Sequence, residues 1–457
     1  RGKGGAEGLQ GEWKEGRKAL RGSRYEGDAF DQILVQDIGS DKKWQVTTGA
    51  GTVSEIFGWD TDRQLVYYTA RGPGTNASVA FLFEATTDPD RAPQPPRCLT
   101  CSLTYENPNT NVEGPERPPC AFATGTFSKS FSFFSLKCEN SLVHFPEIRV
   151  VSTEDLRTMV VWDDNARSFE AVEDYEFPEK RVLSIPLDNF DGADARAVVY
   201  LPVDRVEGEK FPLVVETYAG PGDQRVTERS TGITWGDVLA SSQKMVFAQI
   251  DGRGSGFRGK NLLHSVYRQL GGPEVQDQIE VTRKLLSHPE IGPWIDPHHV
   301  GIWGWSYGGF VSASALAEDD SGTITCGISV APVTDWRLYD SIYTERYMLT
   351  EVENEKGYRN ASLLQKEEKF RGKNFLLVHG NADDNVHYQQ SMRLARNLEI
   401  KDVMFQQISY PDEAHGLGGV RTHLYHSMIQ FWNRCFDRDD NENLVSSIDR
   451  KRKWRKG

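Results

Sequence analysis

Downstream of Phe177-Pro178, short apolar runs alternate with longer amphipathic ones, and this rhythm constrains the fold more than any other feature. The apolar runs are "PLVVETYAG", "KMVFAQIDG", "HVGIWGW", "CGISVAP", "NFLLVHG" and "MFQQISY". Between them "PEVQDQIEVTRKLLSH", "YQQSMRLARNLEI" and "THLYHSMIQFWNRCF" read as amphipathic helices. Buried strands alternating with such helices predict an α/β unit, a mostly parallel sheet covered on both faces. "VLSIPL" and "ARAVVYLP" read as an antiparallel hairpin ahead of it. In this architecture, chemistry collects at the carboxyl ends of the strands.

Upstream, from about residue 30 to 172, the chain is β-rich. "KWQVTT", "VSEIFGWD", "QLVYYTA" and "VAFLFEATT" form one group of short strands between Gly, Asp and Asn turns. "CLTCSLTY", "CAFATGTF", "FSFFSLKC" and "EIRVVST" form a second. Two similar four-stranded units suggest propeller blades, and two or three blades cannot close a ring. The expected organisation is a low-complexity segment (1–28), the C-terminal part of a truncated all-β propeller (29–173), an α/β domain (174–438) and a basic tail (439–457).

The formal charge of -13 argues against nucleic acid as a partner, and no apolar run reaches membrane-spanning length. The chain starts with Arg and shows no signal peptide, so a fragment is expected. Its six cysteines are Cys98, Cys101, Cys120, Cys138, Cys326 and Cys435. Their even number permits full pairing, and the spacing of the first four leaves a zinc site as the alternative. Asn76 and Asn360 open Asn-x-Ser sequons, in keeping with a secretory route.

"GIWGWSYGGF" places Ser306 between a strand and a helix, with Gly304 and Gly308 two residues to either side. Such a turn holds a Ser in a strained, exposed position, and the glycines let helix and strand approach closely. A Ser hydroxyl needs a base beside it, and a carboxylate to orient that base. Asp383 and Asp384 follow one later strand and His415 follows the next, which is the Ser–Asp–His order of an α/β-hydrolase. Spacing alone does not choose between the two aspartates. His379, still on its strand, reads as structural, and His387 precedes a helix. Tyr218, after "LVVE", reads either as a turn tyrosine or as an oxyanion donor beside the N–H of Tyr307. Trp336, Tyr339, Tyr343 and Tyr347 read either as core or as the wall of an apolar pocket. "DGRGSGF" lacks the spacing of a nucleotide-binding turn and reads as a loop near the site.

Together "YAGPGDQ", "DGRGSGF", "GWSYGGF", "APVTDW", "YDSIYTERYM", "HGNADDNVH" and "DEAHG" closely resemble the dipeptidyl peptidase IV group of the prolyl oligopeptidase family, over about residues 30 to 437. The resemblance implies a β-propeller joined to an α/β-hydrolase domain that removes Xaa-Pro or Xaa-Ala dipeptides, without a cofactor or metal. It makes Ser306 the nucleophile, Asp383 the acid, His415 the base, and Tyr218 and Tyr307 the oxyanion donors. It implies a proline pocket of Val333, Trp336, Tyr339, Tyr343 and Val386, with Asn385 on the substrate carbonyl. It further implies the disulfides Cys98–Cys101, Cys120–Cys138 and Cys326–Cys435, a homodimer formed near Cys435, and an extracellular or cell-surface domain. In such proteins an amine-binding Glu pair and a single-pass anchor would precede residue 1, and Gly222 stands where a Cys is common. The alternatives are a proline-directed endopeptidase, against which Asp340 leans, and a non-enzymatic channel-accessory or binding protein.

Overall fold

The computed structural model describes residues 12–15, 18–23, 30–49, 51–72, 76–107, 117–188, 190 and 193–438, the first two segments by their backbone alone. The chain forms two compact units. The first is Arg1–Tyr175 together with the segments Thr227–Thr234 and Gly256–Leu263, and the remainder makes the second. Nothing in the sequence rhythm marked those two segments as belonging to the first unit. Most of the segment read as low-complexity, and the basic tail from 439 onward, lie outside the described residues; within 1–28, Glu12–Glu15 and Lys18–Ser23 form paired strands.

Among the described residues the first unit is built from three four-stranded antiparallel meanders. One joins Glu12–Glu15, Lys18–Ser23, Gln32–Asp37 and Lys43–Gln45. The next joins Thr52–Asp60, Leu65–Arg71, Ala80–Thr86 and Arg97–Cys98. The third joins Phe122–Phe127, Phe133–Glu139, Glu147–Ser152 and Thr158–Asp163. The last two share only the parallel pair Ala80–Phe122. Side chains alternate along a strand, so Val66, Tyr68 and Ala70 enter one core while Tyr67 enters another. A meander buried on both faces is what a propeller blade requires, and this unit is a β-propeller portion. The boundaries fall one strand away from the expected grouping. "KWQ" closes the first meander, and "TMVVWD", exposed along nearly its whole length and lacking alternation, closes the third. Disulfides join Cys98 to Cys101 and Cys120 to Cys138.

The second unit holds an eight-stranded sheet. Its strands are β1 (Glu179–Pro186), β2 (Asp194–Leu201), β3 (Phe211–Thr217), β4 (Val246–Asp251), β5 (Ile295–Trp305), β6 (Cys326–Val330), β7 (Asn374–Gly380) and β8 (Gln406–Tyr410). The order across the sheet is β1-β2-β4-β3-β5-β6-β7-β8. β1 and β2 form the expected antiparallel hairpin, β2 meets β4 antiparallel, and every later pairing is parallel. The alternation again serves two cores. Leu213, Val215, Ile302 and Leu377 face one, with Val275 and Leu285 of helix α1 (Pro273–Leu286), Phe310 of α2 (Tyr307–Glu318) and Leu394 of α3 (Gln389–Ile400). Val214, Trp303 and Val378 face the other, with Leu424, Phe431 and Trp432 of α4 (Arg421–Cys435). Cys435, the last residue of α4, is bonded to Cys326 at the start of β6, which ties the final helix to the sheet. The result is the α/β-hydrolase architecture, with β5 to β8 presenting their carboxyl ends side by side.

Candidate active site

β5 stops at Trp305, and α2 begins at Tyr307. Ser306, between them, has φ 62° and ψ -118°, a conformation costing about 1–3 kcal/mol for a residue with a Cβ. The surroundings enforce it. The Ser306 N–H donates to Val330 O at 2.9 Å. A Cβ on Gly308 would lie 2.1 Å from Thr217 O, and one on Gly304 would lie 2.2 Å from Gly308 O. Helix and strand are thus closer than any side chain permits. Tyr307 opens the helix, so its N–H has no acceptor within the helix and is available to an anion.

The loop after β8 carries His415, and Trp305 Nε1 donates to its carbonyl at 2.9 Å, tying that loop to the Ser306 turn. The Ser306 hydroxyl itself makes no hydrogen bond among the described residues; such contacts commonly tighten only with substrate bound. His415 Nδ1 donates to Asp383 Oδ2 at 2.6 Å. Asp384, one residue on, is exposed, and so is His387. The geometry therefore chooses Asp383, because its Oδ1 also accepts from the N–H groups of Asn385 and Val386, both at 3.0 Å. Those two bonds turn its side chain inward.

His379 contacts Asp383 from within its strand, a neighbour that the sequence did not reveal. Its Nε2 lies 2.8 Å from Val386 O and 3.1 Å from Asp383 Oδ2, two acceptors, so that nitrogen carries the proton. Its Nδ1 then accepts from the Ser391 hydroxyl at 2.7 Å. Asp383 thus sits between two imidazoles. Burial works to raise its carboxyl, but hydrogen bonds from His379 and His415, the charge on His415 and the Asn385 N–H outweigh it and hold the group well below the usual carboxylate range. The only hint in the sequence was a His four residues before the acid.

Tyr218 follows β3, and its ring lies 6.0 Å from that of Tyr307. Tyr307 lies 5.5 Å from Trp336, and Trp336 stacks on Tyr343 at 5.9 Å with 15° between planes. Tyr339 meets both edge-on, at 5.9 and 5.6 Å. Val333 and Val386 are buried in the same cluster. Asp340 accepts from the Tyr343 N–H at 2.9 Å, which caps the helix Ser341–Met348 and fixes that ring. Asn385 accepts from the Tyr339 hydroxyl at 2.9 Å, so the residue expected at the substrate carbonyl touches the aromatic cluster. Beneath Tyr307 lies a second residue without a sequence signal. Glu274 Oε1 accepts from the Tyr307 hydroxyl at 2.7 Å and from the Gly271 N–H at 2.5 Å. In "DGRGSGF", the Arg253 guanidinium is committed to Asp277 of α1, with Nε at 2.9 Å, which anchors that loop to a helix. Among the described residues no cluster of His, Cys, Asp and Glu is arranged to hold a metal.

Residues 232–439 match the model of the prolyl oligopeptidase family. The chain carries a domain of the prolyl oligopeptidase family. The chain is 38% identical over 395 residues to the venom dipeptidyl peptidase 4 of Vespa velutina, covering 86% of this chain and 48% of that relative. It is 37% identical over 355 residues to the prolyl endopeptidase FAP of Homo sapiens, covering 76% of this chain and 43% of that one. The crystal structure of Porphyromonas gingivalis dipeptidyl peptidase 4 aligns with a TM-score of 0.78 at 27% identity, over 92% of this chain and 54% of that chain. The chain spans about half the length of the relatives it matches.

Proposed function

We propose that the chain acts as a serine dipeptidyl peptidase, releasing N-terminal Xaa-Pro or Xaa-Ala dipeptides through an acyl-enzyme. The observation that carries this reading is the coupling of His415 to Asp383 at 2.6 Å, in a loop tied to the Ser306 turn. The ring cluster of Trp336, Tyr339 and Tyr343 supports the choice of substrate, since flat apolar walls suit a pyrrolidine ring.

The mechanism follows from the tautomer. The Nδ1–H of His415 is committed to Asp383, which leaves Nε2 as a base. Nε2 takes the Ser306 proton as Oγ attacks the carbonyl of the proline residue. The Tyr307 N–H and the Tyr218 hydroxyl hold the oxyanion. The C–N bond breaks as His415 returns the proton to the leaving amine, and water then releases the dipeptide by the same steps. An extracellular or cell-surface setting fits the three disulfides and the exposure of Asn76 and Asn360 as glycan acceptors. No helix among the described residues is long and apolar enough to cross a membrane. Association of two copies through the region of α4 near Cys435 belongs to the same reading.

A Gly-Pro chromogenic amide, offered with a free and then an acetylated N-terminus, tests the proposal, with Ser306→Ala as control. Cleavage of the free form alone is expected. Cleavage of both forms would support instead the endopeptidase activity named for the FAP relative. Cleavage of neither, by folded protein, would sink both.

A further inference from the structure

Tyr218 is held more elaborately than a turn tyrosine needs. Its ring lies against Gly220, where an added Cβ would come within 2.8 Å of the ring. Over the ring sits the Arg225 guanidinium, its Cζ 4.8 Å from the centroid. Arg225 is a long side chain, only partly buried, and would not keep that place unaided. Two restraints hold it. Its Nε lies 2.9 Å from Asp223 Oδ2, an ion pair held by charge and not by hydrogen-bond geometry. Its backbone N–H, with that of Val226, donates to the buried Asp251 carboxylate, at 2.8–3.0 Å. The backbone between is wound tightly enough that Ala219 and Gly222 both take positive φ, at 55° and 83°. The segment "YAGPGDQRV" therefore folds back on itself and lays its own cation on its own tyrosine.

Resting on the proposed peptidase reading, we infer that Arg225, gripped by Asp223, is a positioning residue for Tyr218: it fixes the phenol and strengthens it as a donor to the oxyanion. The chemistry is direct. As the substrate carbonyl becomes tetrahedral, negative charge grows on its oxygen, and a hydrogen bond from Tyr218 shifts part of that charge onto the phenol. A cation on the ring face stabilises the ring as it gains electron density. The charges around Tyr218 oppose one another, and the cation is the one that favours donation. Burial raises its phenol most, Asp223 adds to this, and Arg225 opposes both. Asp223 is thus the counter-ion that holds the cation in place and moderates it.

The test is a double-mutant cycle on the full chain, using Arg225→Met, Tyr218→Phe, the double variant and Arg225→Lys. Turnover of the Gly-Pro amide is separated into kcat and KM. Arg225→Met is expected to lower kcat about tenfold, with KM changed by no more than about twofold. Arg225→Lys should recover most of the loss. In the Tyr218→Phe background, Arg225→Met should cost nothing further, because the donor it serves is gone. An equal loss in both backgrounds would overturn the inference, as would a rise in KM with kcat unchanged, which would make Arg225 a substrate contact. A lowered kcat in Tyr218→Phe beside wild-type turnover in Arg225→Met would overturn it while leaving the peptidase reading intact. Wild-type turnover in Tyr218→Phe would remove the oxyanion role and the inference with it.

Discussion

Glu274 makes the stability of the second unit depend on pH in a direction that can be worked out. Its side chain is 1% exposed. Burial is the largest influence and lifts its carboxyl from 4.5 to about 7, although the Gly271 N–H and the Tyr307 hydroxyl pull the other way. Both donors meet Oε1, while Oε2 has no partner among the described residues, so Oε2 takes the proton. A carboxyl with a raised folded pKa holds its proton more tightly when folded. Its contribution is complete below pH 4.5 and is lost as the pH climbs through about 7. Integrated from pH 5 to pH 8, the loss is about 2.5 kcal/mol. Glu274→Gln keeps an oxygen for both donors and cannot ionise. Urea unfolding of the two proteins, followed by tryptophan fluorescence at intervals across that range, isolates the group, because every other titration cancels in the difference. The native protein should lose about 2.5 kcal/mol relative to the variant between the two ends. A difference that stays level would refute the reasoning and mean that the carboxyl is solvated in solution.

Other outcomes follow from the same geometry. Asp383→Asn should lower kcat by about four orders of magnitude by removing the acceptor for His415 Nδ1–H, whereas Asp384→Asn should leave kcat within about twofold; steady-state kinetics on matched preparations checks both. His379→Ala takes one donor from Asp383 and leaves Val386 O unpaired, so a ten- to hundredfold fall in kcat is expected, roughly the worth of a hydrogen bond to a charged group. Gly308→Ala would drive a Cβ onto the backbone oxygen of Thr217, with a loss of about 3 kcal/mol by chemical unfolding.

What could be read from the sequence was what a few adjacent residues determine. Gly304, Ser306 and Gly308 specify a strained turn because the steric demand is local, and the strand before and helix after it are amphipathic or apolar in plain view. His415 was legible for a related reason: in a parallel sheet, a polar residue just past an apolar run has one place to go. Spacing could not separate Asp383 from Asp384, since a difference of one residue in a turn is a matter of dihedral angles and not of composition; the resemblance named Asp383, and the bonds from His415, Asn385 and Val386 accord with it. Glu274 and Tyr307 are 33 residues apart, and nothing in "GGPEVQDQ" announces a buried carboxyl. It sits on a helix whose charged residues would ordinarily face water. Asp223 and Arg225 look like solvated turn residues until the chain is seen to fold back over Tyr218. The first unit makes the same point from the opposite side. "TMVVWD" was missed as a strand because alternation is a record of having one wet face and one dry face, and this strand is exposed along nearly its whole length. The residues that escaped are thus those whose environment contradicts their local pattern: a charge that is buried, a histidine that serves a carboxylate from within a strand, an apolar strand that is bare. Burial of a titratable group is costly unless something compensates it, so these contradictions are where the fold has been constrained by more than packing. In this molecule, Glu274, His379 and Arg225 each touch a member of the proposed catalytic set, and each does so through a side chain that no local pattern would place there.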